Sequence, residues 1–152
     1  GGGVRISRQR RTIKRNHAFP AFSNVSGNPK LPLPLRPERK FYQFNSQFTW
    51  STPTFKVGGW QKQIDTPERL EMIIASAAGE QTADVTPRRL QQFKIVAGKK
   101  YVLQNVDVKS GKALQEQAAT ADKFGLVTFK GFQVKPGSTS FGGSKLVITP
   151  AK

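Results

Sequence analysis

From residue 69 onward, apolar and polar positions alternate with a period of two, in runs cut short by turn residues. Arg69–Ser76 places Leu70, Met72 and Ile74 on one side of an extended chain, since successive side chains of a strand point to opposite faces. Leu90–Val96 offers Phe93 and Ile95 as inward residues. Lys100–Val108 sets Tyr101, Leu103 and Asn105 against Val102, Gln104, Val106 and Val108. Ala113–Thr120 is a polar strand suited to an edge. Gly125–Val134 carries Leu126, Val127, Phe129, Phe132 and Val134, and Lys145–Thr149 closes with Leu146 and Ile148. The breaks at Gly98, Gly111 and Gly125 supply glycine where a tight turn needs positive φ. Pro136 to Gly143 makes a longer loop, in which the glycines follow no phosphate-binding pattern and predict a mobile hairpin. Ala75–Glu80 and Ala113–Ala121 have helical propensity, but their surroundings allow no more than a turn or two. Turns spaced every ~8–12 residues between alternating strands predict an all-β, antiparallel sandwich or barrel.

The character changes near residue 40. Residues 1–40 show no sustained hydrophobic period and contain Pro20, Pro29, Pro32, Pro34 and Pro37. Proline fixes φ and removes a donor, so Leu31–Pro37 reads as an extended connector. The expected organisation is a basic, proline-rich extended arm over 1–40 and a β-sandwich domain over 41–152. Seven of the fifteen aromatic residues fall between positions 41 and 60. Phe44, Phe48 and Trp50 share one parity, which predicts a strand with an aromatic face.

Charge sharpens the division. The net charge is +16. Residues 1–40 hold ten Lys/Arg and one acid, and the remainder holds fifteen against eight. Such a field favours an anionic polymer, polysaccharide or nucleic acid, with a partner protein or domain as the other kind of ligand, and leaves self-assembly open. In the arm, Arg5, Arg8, Arg10, Arg11, Lys14 and Arg15 can neutralise phosphates. Arg88 and Arg89 follow Pro87 at an expected strand start and can clamp a carboxylate or phosphate, or pair with Asp84. Among the aromatics, Trp60, Trp50 and Tyr42 are the candidates to stack on a sugar ring or a base. The phenylalanines are expected in the core. A basic arm, a proline connector and a β-sandwich is also the plan of many small viral coat proteins, an analogy of architecture only.

No catalytic constellation stands out. The chain has no cysteine, which removes disulfides, thiolate metal sites and a Cys nucleophile. No Gly-x-Ser-x-Gly elbow, phosphate loop or dinucleotide fingerprint occurs. His17 is the only histidine. With no companion ligand it predicts no metal site, and it reads as a surface or loop residue. Asp65, Glu68 and Glu71 read as turn and surface acids. No cofactor is implied. No apolar run approaches the ~20 residues of a membrane span, and no signal segment is visible.

Three segments carry a resemblance: Asp65-Thr66-Pro67-Glu68-Arg69-Leu70-Glu71-Met72, Ala83-Asp84-Val85-Thr86-Pro87-Arg88-Arg89-Leu90-Gln91-Gln92-Phe93, and Ala121-Asp122-Lys123-Phe124-Gly125-Leu126-Val127-Thr128. Residues 65–149 resemble an immunoglobulin/fibronectin-III-like module at the C-terminus of some secreted bacterial hydrolases. The resemblance implies a non-catalytic accessory or docking sandwich in an extracellular or periplasmic setting. Its motifs are structural, with the turn and edge residues carrying no chemistry. Asn16–Ser23 is also similar to the loop bearing the catalytic His at the end of an α/β-hydrolase domain. That likeness implies a C-terminal fragment contributing His17, although the arm is far more basic than such a context and a lone His needs its Ser and acid partners.

Overall fold

The structure is a computed structural model that describes residues 15–26 and 47–152. Among these residues the alternating pattern becomes nine strands and no helix: β1 Phe19–Ser23, β2 Phe48–Trp50, β3 Ile64–Asp65, β4 Leu70–Ser76, β5 Gln81–Arg88, β6 Lys100–Asp107, β7 Ala113–Thr120, β8 Phe129–Val134 and β9 Ser144–Pro150. They form two antiparallel sheets. One runs β1-β5-β8. The other runs β2-β4-β9-β6-β7, with β3 also paired to β4. One apolar core takes side chains from both sheets, including Val85, Phe129 and Phe132 from the first and Leu70, Met72, Leu103 and Ile148 from the second. This arrangement is consistent with a β-sandwich. Fully burying each such side chain stabilises by about 1.5–3 kcal/mol.

Period two sets the register. Leu70 pairs with Ile148, which pairs in turn with Leu103, so three strands present their apolar parity to the same side. The expected inward face of β4 is observed, and Tyr101, Leu103 and Asn105 are the buried parity of β6. β7 is the polar edge strand read from the sequence.

Four expectations change. Phe19–Ser23 lies inside the segment expected to be an arm, yet it is a strand paired with β5 from Phe19↔Arg88 to Ser23↔Asp84. Residues Ala18 to Phe22 are apolar in succession and include Pro20, so no alternation marks this strand; Ala18 and Val25 are buried beside it. Leu90–Val96 is not a strand. The backbone N–H groups of Gln91, Gln92 and Phe93 donate to the Asp65 carboxylate at 2.7, 3.1 and 2.7 Å, so an acid rather than a neighbouring strand satisfies them. Tyr101 Oη then accepts from Val96 N–H at 2.8 Å. The strand expected from Gly125 starts only at Phe129. Arg88 ends β5 rather than beginning a strand. Tyr42, Phe44, the Leu31–Pro37 connector and Arg5, Arg8, Arg10, Arg11 and Lys14 lie outside the described residues.

The edges β7 and β8 face each other across the two sheets, and side-chain amides bridge them. Gln117 donates to Lys130 C=O at 2.5 Å and accepts from Lys130 N–H at 3.0 Å. Gln115 donates to Gly131 C=O at 2.8 Å and accepts from Gln133 N–H and from buried Asn105, both at 2.9 Å. The glutamines therefore pair the backbone of β8 where no strand does, which leaves less of that edge open to another chain.

A bulge between Ala83 and Val85 turns Asp84 toward both edges of β5. Asp84 accepts from the Asn24 amide at 2.7 Å and from Gly131 N–H at 2.9 Å. The Asn24 bond, then the Gly131 bond, hold its carboxyl below the ordinary range; burial opposes this and the charge of Lys130 adds to it. The folded-state value is depressed, so this contribution is complete above about pH 4, the unfolded value, and is lost as pH falls through the lower folded value. Asp84→Asn is therefore expected to lose less stability than the parent between about pH 4 and pH 2, measured by urea unfolding at stepped pH.

Candidate functional site

β4 is buried on both faces. Leu70, Met72 and Ile74 point into the shared core, while Ile73 and Ala75 on the opposite parity pack with Val57, Phe55 and Val108. The cover over the second face is the segment between β2 and β3. It is tied down by Ser51 N–H to Ile73 C=O at 2.9 Å and by Ile73 N–H to Ser51 Oγ at 2.9 Å. A turn at Thr52–Phe55 is closed by Thr52 N–H to Phe55 C=O and by Phe55 N–H to Thr52 Oγ1. Val57 and Gln61 exchange both backbone bonds, at 2.9 and 3.2 Å, leaving a tip of Gly58, Gly59 and Trp60.

All three tip residues have positive φ, 59°, 79° and 58°. Glycine adopts this region freely, but for tryptophan it costs on the order of 1–2 kcal/mol. The surroundings hold it there. Gly58 N–H donates to Ser138 C=O at 2.9 Å and Trp60 N–H to Thr139 C=O at 3.1 Å, while the Gln61 amide donates to Gly58 C=O at 2.8 Å. The partner loop, Pro136–Gly143, is itself closed by Ser138 N–H to Phe141 C=O at 2.8 Å and Gly143 N–H to Pro136 C=O at 2.9 Å. The hairpin expected from its glycines is therefore pinned to the tip and, through Val108 N–H to Gly143 C=O, to the end of β6. Space is as tight as the backbone: a Cβ on Gly58 would stand 2.5 Å from Gly142 O and 2.8 Å from Ile73 Cγ2.

Two fixed loops thus present two large rings to solvent, Trp60 at 62% exposure and Phe141 at 59%. The hydroxyls of Ser138 and Ser140, 3.2 Å apart, and Gln61 lie on the same two loops. Exposed aromatic faces on a preordered backbone bind flat, weakly polar ring surfaces with little entropy lost on binding.

The other candidates separate. Trp50 is in the core, edge-on to Phe22 at 6.0 Å, so it offers no face to a ligand. Arg89, also at positive φ (58°), sits over the Phe19 ring at 5.3 Å, and Arg88 is exposed. Neither pairs with Asp84, whose oxygens are taken by Asn24 and Gly131. Arg15 is exposed, and its carbonyl accepts from Gln91. His17 is buried, at 7% exposure, with no hydrogen bond to Nδ1; of the surface or loop placement expected for it, it takes the loop, just before buried Ala18 at the entry to β1. Asp65 is consumed by three backbone donors. Glu71 pairs with Arg69 and, at 3.5 Å, with Lys145. Among the described residues no three His, Cys, Asp or Glu side chains gather to hold a metal ion, and no helix is long and apolar enough to cross a membrane.

Sequence reasoning singled out Trp60 but passed over Phe141. The available signal was a bulky ring between Ser140 and Gly142 in a loop, where a strand core cannot reach it. No family model matches the chain, no curated protein matches it, and no solved structure matches it.

Gly58→Ala is expected to destabilise the protein by about 2–3 kcal/mol, because it adds a methyl group against backbone and imposes positive φ on alanine. Thermal unfolding followed by circular dichroism measures the loss, and Gly59→Ala, with only the Gln61 side chain nearby at 3.6 Å, should lose less.

Proposed function

We propose that this chain is a non-catalytic, immunoglobulin/fibronectin-III-like binding module, an accessory or docking part of a secreted bacterial hydrolase-type protein, that lays Trp60 against the rings of a polysaccharide. The observation that carries this reading is Trp60 itself: an exposed indole held in a costly backbone conformation by two cross-loop hydrogen bonds. Strain maintained by surrounding structure is a mark of functional positions. The neighbouring groups are hydroxyls and an amide, which suit sugar hydroxyls. The net charge of +16 favours an acidic polymer. The resemblance of residues 65–149 supports the accessory role and the extracellular or periplasmic setting, and no catalytic role is assigned to His17.

Trp60→Ala is expected to weaken binding to an acidic polysaccharide by about tenfold or more, the loss of one stacked ring. It should leave stability within about 0.5 kcal/mol, since the side chain is exposed. Isothermal titration against a panel of acidic and neutral polysaccharides reads the first, and urea unfolding the second. Unchanged affinity in Trp60→Ala would remove the stacking role.

Charge supports a second reading, an arm-bearing nucleic-acid-binding or self-assembling protein. The first forty residues carry a net +9. Because β1 begins at Phe19, the arm is properly removed by deleting residues 1–14, which leaves β1 in place. If this reading holds, fluorescence anisotropy with single-stranded RNA shows tight, salt-sensitive binding that the deletion abolishes. Equal binding by both proteins would count against it.

A further inference from the structure

The opposite end of β6 carries a second exposed surface of different chemistry. There the turns Val96–Lys99 and Asp122–Gly125 are zipped together by Gly98 N–H to Ala121 C=O at 2.9 Å and Ala121 N–H to Lys99 C=O at 2.8 Å. A Cβ on Gly125 would touch Ile95 O at 3.0 Å, so the two turns lie against each other. Their tips are apolar. Phe124 is 74% exposed, more than any other large hydrophobic residue described, and Val96 is 45% exposed. Neither tip is slack. Asp122 Oδ1 accepts from Phe124 N–H at 2.8 Å and Leu126 N–H at 3.0 Å, and Tyr101 Oη fixes Val96 N–H.

Lysines flank the tips along the chain. Lys94, Lys99, Lys100 and Lys123 are all exposed, and no ion pair holds any of them. Lys123 Nζ stands 5.1 Å above the Phe124 ring. Asp122, the only acid on the two turns, is occupied by backbone donors. Exposed apolar residues on two adjoining turns, flanked in the chain by unpaired cations on long stems, match an interface with an apolar interior beneath a layer of negative charge.

We propose that this end of the molecule docks on an anionic phospholipid bilayer, with Phe124 and Val96 entering the headgroup boundary and the four lysines meeting lipid phosphates. The surface is separate from Trp60, which lies beyond the other end of β6, where Gly143 meets Val108.

The chain has no cysteine, so a single Ala97→Cys carries an environment-sensitive dye on the Val96–Lys99 turn, and Ser140→Cys carries the same dye at the Trp60 end as a control. Each full-length protein is mixed with phosphatidylcholine vesicles with and without phosphatidylglycerol. The expected result is a blue shift and brightening at position 97, only on vesicles containing phosphatidylglycerol, and none at position 140. Adding Phe124→Ser to the Ala97→Cys protein should cut partitioning about tenfold while leaving the melting temperature unchanged, as expected for an exposed side chain. Adsorption through the basic arm alone would move neither dye. The proposal is overturned by no shift at position 97, by equal shifts at 97 and 140, by full partitioning in Phe124→Ser, or by the same shift at 97 with a soluble acidic polymer such as polyglutamate. The last result would reassign the surface to polyanions.

Discussion

The double burial of β4 is the constraint on which the rest of this structure depends. A strand at the side of a sandwich ordinarily gives one face to the core and one to water. Here Ile73 and Ala75 need cover as much as Leu70, Met72 and Ile74 do. The cover comes from the segment between β2 and β3, and its need to lie flat on the sheet explains its details: Val57 fully buried, Gly58 in space that admits no Cβ, and the chain reversing through three left-handed residues. Trp60 is exposed because the chain reverses outward just after buried Val57 and Gly58. The candidate site is thus the outer consequence of a packing solution, which is why its geometry is fixed without any ligand.

A second organising element is polar. The two sheets are bridged at their β7 and β8 edges by amide side chains. Gln115 and Gln117 imitate a neighbouring strand, with donor and acceptor on one planar group matching an N–H and a C=O of β8. Asp65 and Asp84 work in the same way at other points, Asp65 gathering three backbone donors and Asp84 the Gly131 N–H and the Asn24 amide. Much of the acid content of a strongly basic chain is therefore spent on its own backbone or paired in the few surface ion pairs, leaving the unpaired lysines to dominate the outward field.

The alternating stretches of the fold were legible because period two needs only local sequence. Leu70, Met72 and Ile74 and the polar edge β7 emerged from it, as did the alternation of β6, although only the fold shows that Tyr101, Leu103 and Asn105 are its inward parity. The turns at Gly98, Gly111 and Gly125 did too, each with positive φ. Short or irregular pieces were not legible. β1 is an unbroken apolar run up to Ser23, holding Pro20, and so shows no alternation, and Phe93 and Ile95 alternate as a strand would although Asp65 holds their segment as a loop. Trp60 was legible as a candidate because Gly58-Gly59 marks a turn. Trp50 was not distinguishable from it by residue type, since only the packing of Phe22 against it shows that it faces inward.

By itself, the sequence determined that the described chain is built of strands, that glycine turns separate many of them, and that the molecule carries a large positive charge with no thiol chemistry. These are properties of single residues and of near neighbours. Only the tertiary structure decided which aromatic rings meet solvent, which acids are consumed by backbone donors, and which loops stand together. Those depend on contacts such as Gly58 with Ser138, Asp65 with Phe93 and Ala121 with Lys99. Residues that distant in the chain meet only when sheet pairing brings them together, and no local periodicity encodes that meeting.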